Sequence, residues 1–447
     1  MTTATSPAPG TAGFARVLRG DRYRRLLAVR LTSQLGDGAF QAGLASFVLF
    51  NPTQAPTAPL VAGVLTVAVL PFTVVGPFAG VLLDRWSRQR VLLVSNLVRV
   101  VLALAVAALV VAADGRLEGG VLGALYLLVL AALSVNRFLL AGLGASLPHV
   151  VPRALLVPAN AVTPTLGTGA FGAGFGLGLG LRLALGPGAP TDGLVVAAAA
   201  ALFLGAALLT GRLGHRELGP DTPSAASTRA AAVAVARGLR EGAAHVWRRP
   251  VARDAIGAVG AHRFAFGLST IATVLLARGH LSDDVEAGFG VLGLVGGAAA
   301  AGALLAAAVT PAAVRALERR GTPLGLGPLD TWLVLALLVA AVTEALFVLG
   351  IATAPLAAGA LVLGLAGQVV KIGADTHVQT AVAEHVRGRA FAFYDVVFNA
   401  AFVLAAGLGA LVVPDDGYSR PLYAGIAVLY LAVAVGYARA AARPQRG

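Results

Sequence analysis

Residues 80–90 read Gly80, Val81, Leu82, Leu83, Asp84, Arg85, Trp86, Ser87, Arg88, Gln89 and Arg90, a short charged stretch between two long apolar ones, 59–83 and 91–113. A helix crosses the hydrocarbon core of a bilayer with about 20 apolar residues, and each flanking stretch is long enough to do so. The charged residues between them therefore form a tight loop at one membrane face. Outward from that loop the alternation repeats. Apolar segments at 26–50, 120–147, 158–181 and 192–212 complete a first set of six. After a polar stretch at 213–253, six more follow at 254–277, 287–310, 331–352, 355–378, 391–413 and 421–438. The expected organisation is a retained N-terminal tail (1–25), a six-helix bundle (26–212), a linker (213–253), a second six-helix bundle (254–438) and a C-terminal tail (439–447).

Composition supports this reading. Hydrophobic residues make up 57% of the 447 and charged residues 12%, about half the charge of a soluble globular chain, which excludes an ordinary soluble enzyme. The 56 glycines lie mostly inside the apolar segments, where small residues let helices pack closely in lipid. Cysteine is absent, which removes disulfides, thiolate nucleophiles, iron–sulfur clusters and cysteine-ligated zinc. Lys371, the only lysine, is followed by Ile372, so there is no phosphate loop ending in Gly-Lys-Ser/Thr. The seven histidines have no metal-ligand spacing, and neither Gly-x-Ser-x-Gly nor His-Glu-x-x-His occurs. Gly167, Gly169 and Gly172 match Gly-x-Gly-x-x-Gly, but no strand precedes them. No catalytic residue, metal or cofactor is expected, and the chain does not read as an enzyme.

The net charge of +13 would suit a nucleic-acid partner until the arginines are placed. With the N-terminus in the cytoplasm, 25 arginines fall on the inner side and four, Arg116, Arg182, Arg278 and Arg420, on the outer. This is the positive-inside pattern for an even number of spans, so both termini are expected inside and no nucleic acid is implied. Within the linker, Arg229, Arg237, Arg240 and Arg248 fall on one helical arc, opposite Val235, Leu239 and Val246. That predicts an amphipathic helix on the inner membrane surface. The use of Arg for Lys and the abundance of Ala point to a bacterium, hence to its cytoplasmic membrane.

The loop Gly80 to Arg90, at its position between the second and third spans, resembles the cytoplasmic loop motif of the major facilitator superfamily, with Gly80, Asp84, Arg85 and Arg88 at the matching places. The two sets of six spans and the basic central linker agree with that resemblance. Ser33, Gln34, Leu35, Gly36 and Asp37 are similar to the first span of bacterial exporters of that superfamily, of the multidrug and siderophore type. Ser87 stands at the family's second glycine and Gln89 at its second basic position. The resemblance implies an all-α fold of twelve transmembrane helices in two pseudo-symmetric bundles, working by alternating access around a site near the bilayer midplane. It also implies a conformational latch at the inner ends of spans two and eleven. Gly80 would permit close approach, and Asp84 would face the groups around Arg387, Gly388 and Arg389. Arg85, Arg88, Arg90 and Asp395 would support the latch.

Ionisable residues at bilayer depth are costly and mark functional candidates. Gln34 and Asp37 lie in span one, Asn136 and Arg137 in span four, Arg263 beside His262 in span seven, and Lys371 with Asp375 in span ten. The family lines its central cavity with these four spans. Asp37 is about 17 Å from the inner end of span one at 1.5 Å per residue, and Lys371 and Asp375 share a helix face. The expected mechanism has Asp37 bind a proton from outside and release it inside, with Arg137 as its moving partner. Glu344 in span nine has no assigned role, and Arg99 in span three is read as a second latch partner. The four-spaced glycines 172, 176 and 180, and 293 and 297, make smooth faces on spans five and eight.

The favoured function is proton-coupled export of a small amphipathic or apolar organic compound by a monomer in the lipid bilayer. Proton-coupled uptake or facilitated transport of an anionic metabolite, bound by Arg137, Arg263 and Lys371, is the first alternative. A non-transporting receptor or scaffold is the second.

Overall fold

The protein's structure is a computed structural model that describes residues 17–49, 57–74, 78, 86–114, 116, 119–152, 155–215, 217–219, 228–282, 285–322 and 325–443. Among these there are thirteen long helices and no strand. They are α1 (Asp21–Leu49), α2 (Ala58–Val74), α3 (Arg88–Ala113), α4 (Gly119–Val150), α5 (Leu156–Leu185), α6 (Ala189–Gly211), α7 (Thr228–Trp247), α8 (Pro250–Gly279), α9 (Val285–Arg320), α10 (Pro328–Phe347), α11 (Thr353–Ala381), α12 (Glu384–Val412) and α13 (Arg420–Ala441). Local sequence sets several of the ends. Ser87 caps α3 by accepting from the Arg90 N–H, and Asp114 closes the same helix in the left-handed region. Proline opens α6, α8, α10 and α13, where its missing N–H costs no helical bond.

Among the described residues, ten of these helices are long and apolar enough to cross a membrane, and α2 is a shorter apolar helix of 17 residues. Helix α1 has 29 residues but also carries Asp21, Arg22, Arg24, Arg25, Arg30 and Asp37. The chain is an all-α, multi-pass membrane protein. The helices follow the expected spans with two informative extensions. Helix α9 continues to Arg320, past the apolar end at 310, and α12 begins at Glu384, before the apolar start at 391. Hydropathy marks the lipid core, whereas the helix itself runs on into the headgroup layer until its hydrogen bonding ends.

Packing divides the helices into two units. The first contains α1 and α3 to α6, and the second contains α2 and α8 to α13, together with α7 from Val233 onward. In the first, α1 lies against α5 and α6, and α3 against α4 and α6. The closest approach is glycine-made. A Cβ on Gly174 would run into the Leu35 carbonyl of α1, and one on Gly38 into the Phe171 carbonyl of α5. In the second unit α9 lies against α11 in the same manner, with Gly302 against the Leu361 carbonyl and Gly364 against that of Ala299. The four-spaced glycines 172, 176 and 180, and 293 and 297, play a different part, because a Cβ at any of them would meet nothing within 4 Å. Two glycine faces thus exist on α5, one used for close packing and one open.

Two elements of the expectation are placed more closely here. The linker helix forms as α7, and its Gly238 and Gly242 lie on Arg389 at the start of α12, where Arg389 also bridges Glu241. Helix α2 packs with the second unit, its Ala58 N–H donating to the Asp415 carboxylate at 3.0 Å. The N-terminal tail up to residue 16 lies outside the described residues, as do latch residues Gly80, Asp84 and Arg85.

Candidate functional site

In the first unit, the polar residues of α1, α3 and α4 meet on one buried seam. Asp37 is 3% exposed and Arg99 1%, and the Arg99 Nη2 donates to the Asp37 Oδ1. The other guanidinium arm, Nη1, donates to the Ser33 Oγ at 2.7 Å and to the Asn96 Oδ1 at 3.4 Å. Ser33 in turn donates to that same Oδ1 at 3.2 Å, while the Asn96 amide returns to the Leu92 carbonyl at 3.0 Å. Phe203 of α6 closes the seam, its ring centroid 3.7 Å from the guanidinium carbon of Arg99. Gly36 leaves the space that this ring fills. Asn136 faces the Asp37 carboxylate from α4, and the Asp37 Oδ2 is buried without a hydrogen-bond partner.

Asp37 therefore pairs with Arg99, not with the expected Arg137. The reason is rotational. Residues 136 and 137 stand about 100° apart on a helix, so a face that turns Asn136 toward Asp37 turns Arg137 elsewhere; Arg137 is half-buried. Gln34 is half-buried one residue beyond Ser33. A second buried pair sits where α5 ends and α6 begins. Arg182 and Asp192 approach to 3.4 Å, and Ser46 donates to the same Asp192 oxygen.

The end of the first unit at the start of α3 accounts for Arg88. Its Nη1 donates to the carbonyls of Ala145 at 2.8 Å and Leu218 at 3.1 Å and lies 3.1 Å from the His149 Nδ1. This side chain ties the start of α3 to the end of α4 and to the segment after α6. Arg90 is exposed, and so is Asp395 on α12 in the second unit.

The second unit holds its polar groups in two places. One is a line of aromatic rings on α12, in which Tyr394, Phe398 and Phe402 recur every four residues and share a face. The Arg263 guanidinium lies 4.6 Å from the Phe398 ring centroid and 4.4 Å from that of Phe402. Lys371 stands 5.7 Å from the Tyr394 centroid and bridges Asp375 at 2.7 Å. The structure thus brings Arg263, Lys371 and Asp375 to one aromatic face of α12. Among the described residues Arg263 has no carboxylate within ion-pair distance.

The other place is fully buried. Glu344 of α10 is 0% exposed and accepts from the Ser269 Oγ at 2.6 Å. One helix-turn pair away, His262 meets the Tyr430 hydroxyl at 3.0 Å, in space left by Gly367. Apart from both, at the start of α10, half-buried Asp330 accepts from the Tyr437 hydroxyl at 2.6 Å and stands 2.8 Å from the His377 Nε2.

The partners that sequence reasoning missed are Arg99 for Asp37 and Ser269 for Glu344. A signal existed for the first. From the expected span starts, Asp37 lies eleven residues past position 26 and Arg99 eight past position 91, about 17 Å and 12 Å deep on spans running in the same direction, a difference that a long arginine side chain spans. Ser269 carries no charge and gave no comparable signal.

Long apolar helices with ionisable side chains buried among them fit a polytopic carrier fold. Comparison with known proteins gives the family. The chain is 34% identical over 410 residues to an uncharacterised MFS-type transporter of Mycobacterium tuberculosis, which covers 92% of this chain and 89% of the relative. The corresponding protein of Mycobacterium bovis matches to the same extent. Among solved structures, a variant of the nucleoside transporter NupG aligns with a TM-score of 0.64 at 14% identity, over 93% of this chain and 99% of its own. A POT family transporter in complex with a thioalcohol-conjugated peptide aligns with a TM-score of 0.62 at 10% identity, over 92% and 94%. No family model matches. The chain belongs to the major facilitator superfamily and is a membrane transporter for a small molecule.

Proposed function

We propose that the protein is a proton-coupled secondary transporter that exports a small amphipathic or apolar organic compound across the bacterial cytoplasmic membrane by alternating access. It works as a monomer with both termini inside. The observation that carries the coupling is the Asp37–Arg99 pair. A proton delivered to Asp37 cancels the pair, yet Arg99 does not then lose every partner, because Ser33, Asn96 and the Phe203 ring already hold it. The pair can therefore break without leaving a bare buried cation, which is what separates a switch from a structural bridge. Breaking it removes one of the two hydrogen bonds by which Arg99 of α3 holds α1 and leaves the one to Ser33.

The test uses the purified full-length chain in liposomes with a pH-reporting dye inside, an imposed pH difference and a panel of amphipathic organic compounds. The expected result is net substrate movement against its gradient, accompanied by proton movement. Substrate counterflow without proton movement would make it a facilitator.

A second reading, uptake of an anionic metabolite, is supported by Arg263. Its guanidinium lies over two aromatic rings with no carboxylate in ion-pair range among the described residues, so a substrate carboxylate would be its first acidic partner. Arg263→Gln would then raise KM for carboxylates and leave neutral compounds unaffected.

A further inference from the structure

The second unit contains a space that the transport reading above does not use. It is a cavity of about 160 Å³ between α8, α9, α10, α11 and α13, with an apolar wall that includes Phe266, Val295, Phe347 and Ala360. Four polar side chains, Ser269, Thr270, Thr273 and Tyr423, interrupt that wall, and of these Thr270 already donates to the Phe266 carbonyl at 2.7 Å. The Tyr423 hydroxyl is buried without a hydrogen-bond partner, and Tyr423 is 1% exposed. Directly behind Ser269 stands the Glu344 carboxylate, whose Oε1 takes the Ser269 proton while its Oε2 is likewise buried without a partner.

This arrangement is incomplete as a piece of protein interior. A carboxylate with no exposure needs a compensating charge or a proton, and among the described residues no cation stands within ion-pair distance of Glu344. The Ser269 hydroxyl donates its one hydrogen bond to Glu344, so its outward side offers lone pairs. The Tyr423 oxygen offers lone pairs too. An ammonium group has three donors and no acceptor, and it carries the charge that Glu344 lacks. The space matches the apolar remainder of such a ligand, since a cavity near 150 Å³ accommodates one benzene-sized ring.

We propose that this cavity is a binding site for a small lipophilic ammonium, a single ring or a short branched chain bearing one amine. The amine is held by the hydroxyls of Ser269 and Tyr423 with the charge of Glu344 behind them. The site lies within one unit and does not depend on direction or proton coupling, so its failure leaves the transport reading untouched.

The experiment is calorimetric titration of the purified full-length chain in detergent with benzylammonium, benzyl alcohol and benzoate, three probes of nearly equal size that differ in charge. Benzylammonium should bind saturably, about tenfold or more tighter than benzyl alcohol, because the hydrogen bonds are made to a charged donor. Benzoate should not bind. Glu344→Gln keeps the shape and should weaken benzylammonium about tenfold while leaving benzyl alcohol unchanged. Ala360→Phe, which fills the space and leaves Glu344 in place, should abolish binding of both, so a poorly folded Glu344→Gln protein would not spare the proposal. Equal affinity for benzyl alcohol and benzylammonium, unchanged benzylammonium affinity in either variant, or no binding of benzylammonium would each overturn it.

Discussion

The two units bury an acid in opposite ways. In the first, Asp37 on α1 meets the guanidinium of Arg99 on α3, and a ring from α6 covers the pair. In the second, the helices at the same places in the order, α8 and α10, meet through Ser269 and Glu344, with a hydroxyl where the first unit has a cation. The first arrangement is electrically complete and sensitive to the loss of its cation. The second lacks a charge, tolerates neutralisation and leaves room for something else to supply a cation. Similar helical frames thus carry one site suited to gaining and losing a proton and another suited to a ligand. The difference comes from two side chains, not from the fold.

Removing the cation in the first unit should have the largest effect. Arg99→Met leaves Asp37 buried with its charge unmatched and should cost about 3–5 kcal/mol, read as a fall in the thermal midpoint of the detergent-solubilised protein. Adding Asp37→Asn to it should restore much of the loss, because the stranded charge is then gone. If the double variant were as unstable as the sum of the single ones, the pair would not be the unit described here.

The glycine contacts come next. Gly364→Val drives a side chain into the Ala299 carbonyl and should cost about 1–3 kcal/mol, whereas Gly176→Ala on the open face of α5 should stay within about 0.5 kcal/mol. Equal effects at the two positions would mean that the packing faces have been misassigned. Glu344→Gln should shift stability by less than about 1 kcal/mol, in contrast to Arg99→Met, since it strands no partner charge. The smallest effect belongs to the exposed bridge between α7 and α12. Glu241→Gln should change stability by about 0.5 kcal/mol or less, and a loss that salt does not diminish would contradict its placement at the surface.

What could be read in the sequence follows from what repeats along it. The spans were legible because lipid imposes a length, and the family because Gly80, Asp84, Arg85 and Arg88 sit between two of them. Depth was legible as well, and it put Asp37 well inside the first span. Direction around the helix was not. Whether Asp37 turns to Arg99 or to Arg137 depends on how closely α1 approaches its neighbours, and that is set by contacts such as Gly36 against Phe203 and Gly38 against α5. Helix periodicity alone does not specify these contacts, because in a chain this apolar nearly every face is hydrophobic. Glu344 had no role in the sequence reading because its partner is a serine and its surroundings are tyrosines, none of which stands out by charge.

The measurement that bears most directly on the account is made with Asp37→Asn protein in liposomes, under an imposed pH difference, using a compound that the unaltered protein concentrates. The account predicts that exchange of labelled for unlabelled substrate persists while accumulation against the gradient and the accompanying proton movement disappear. If the variant still concentrates the compound using the pH difference, Asp37 and its pairing with Arg99 do not carry the proton.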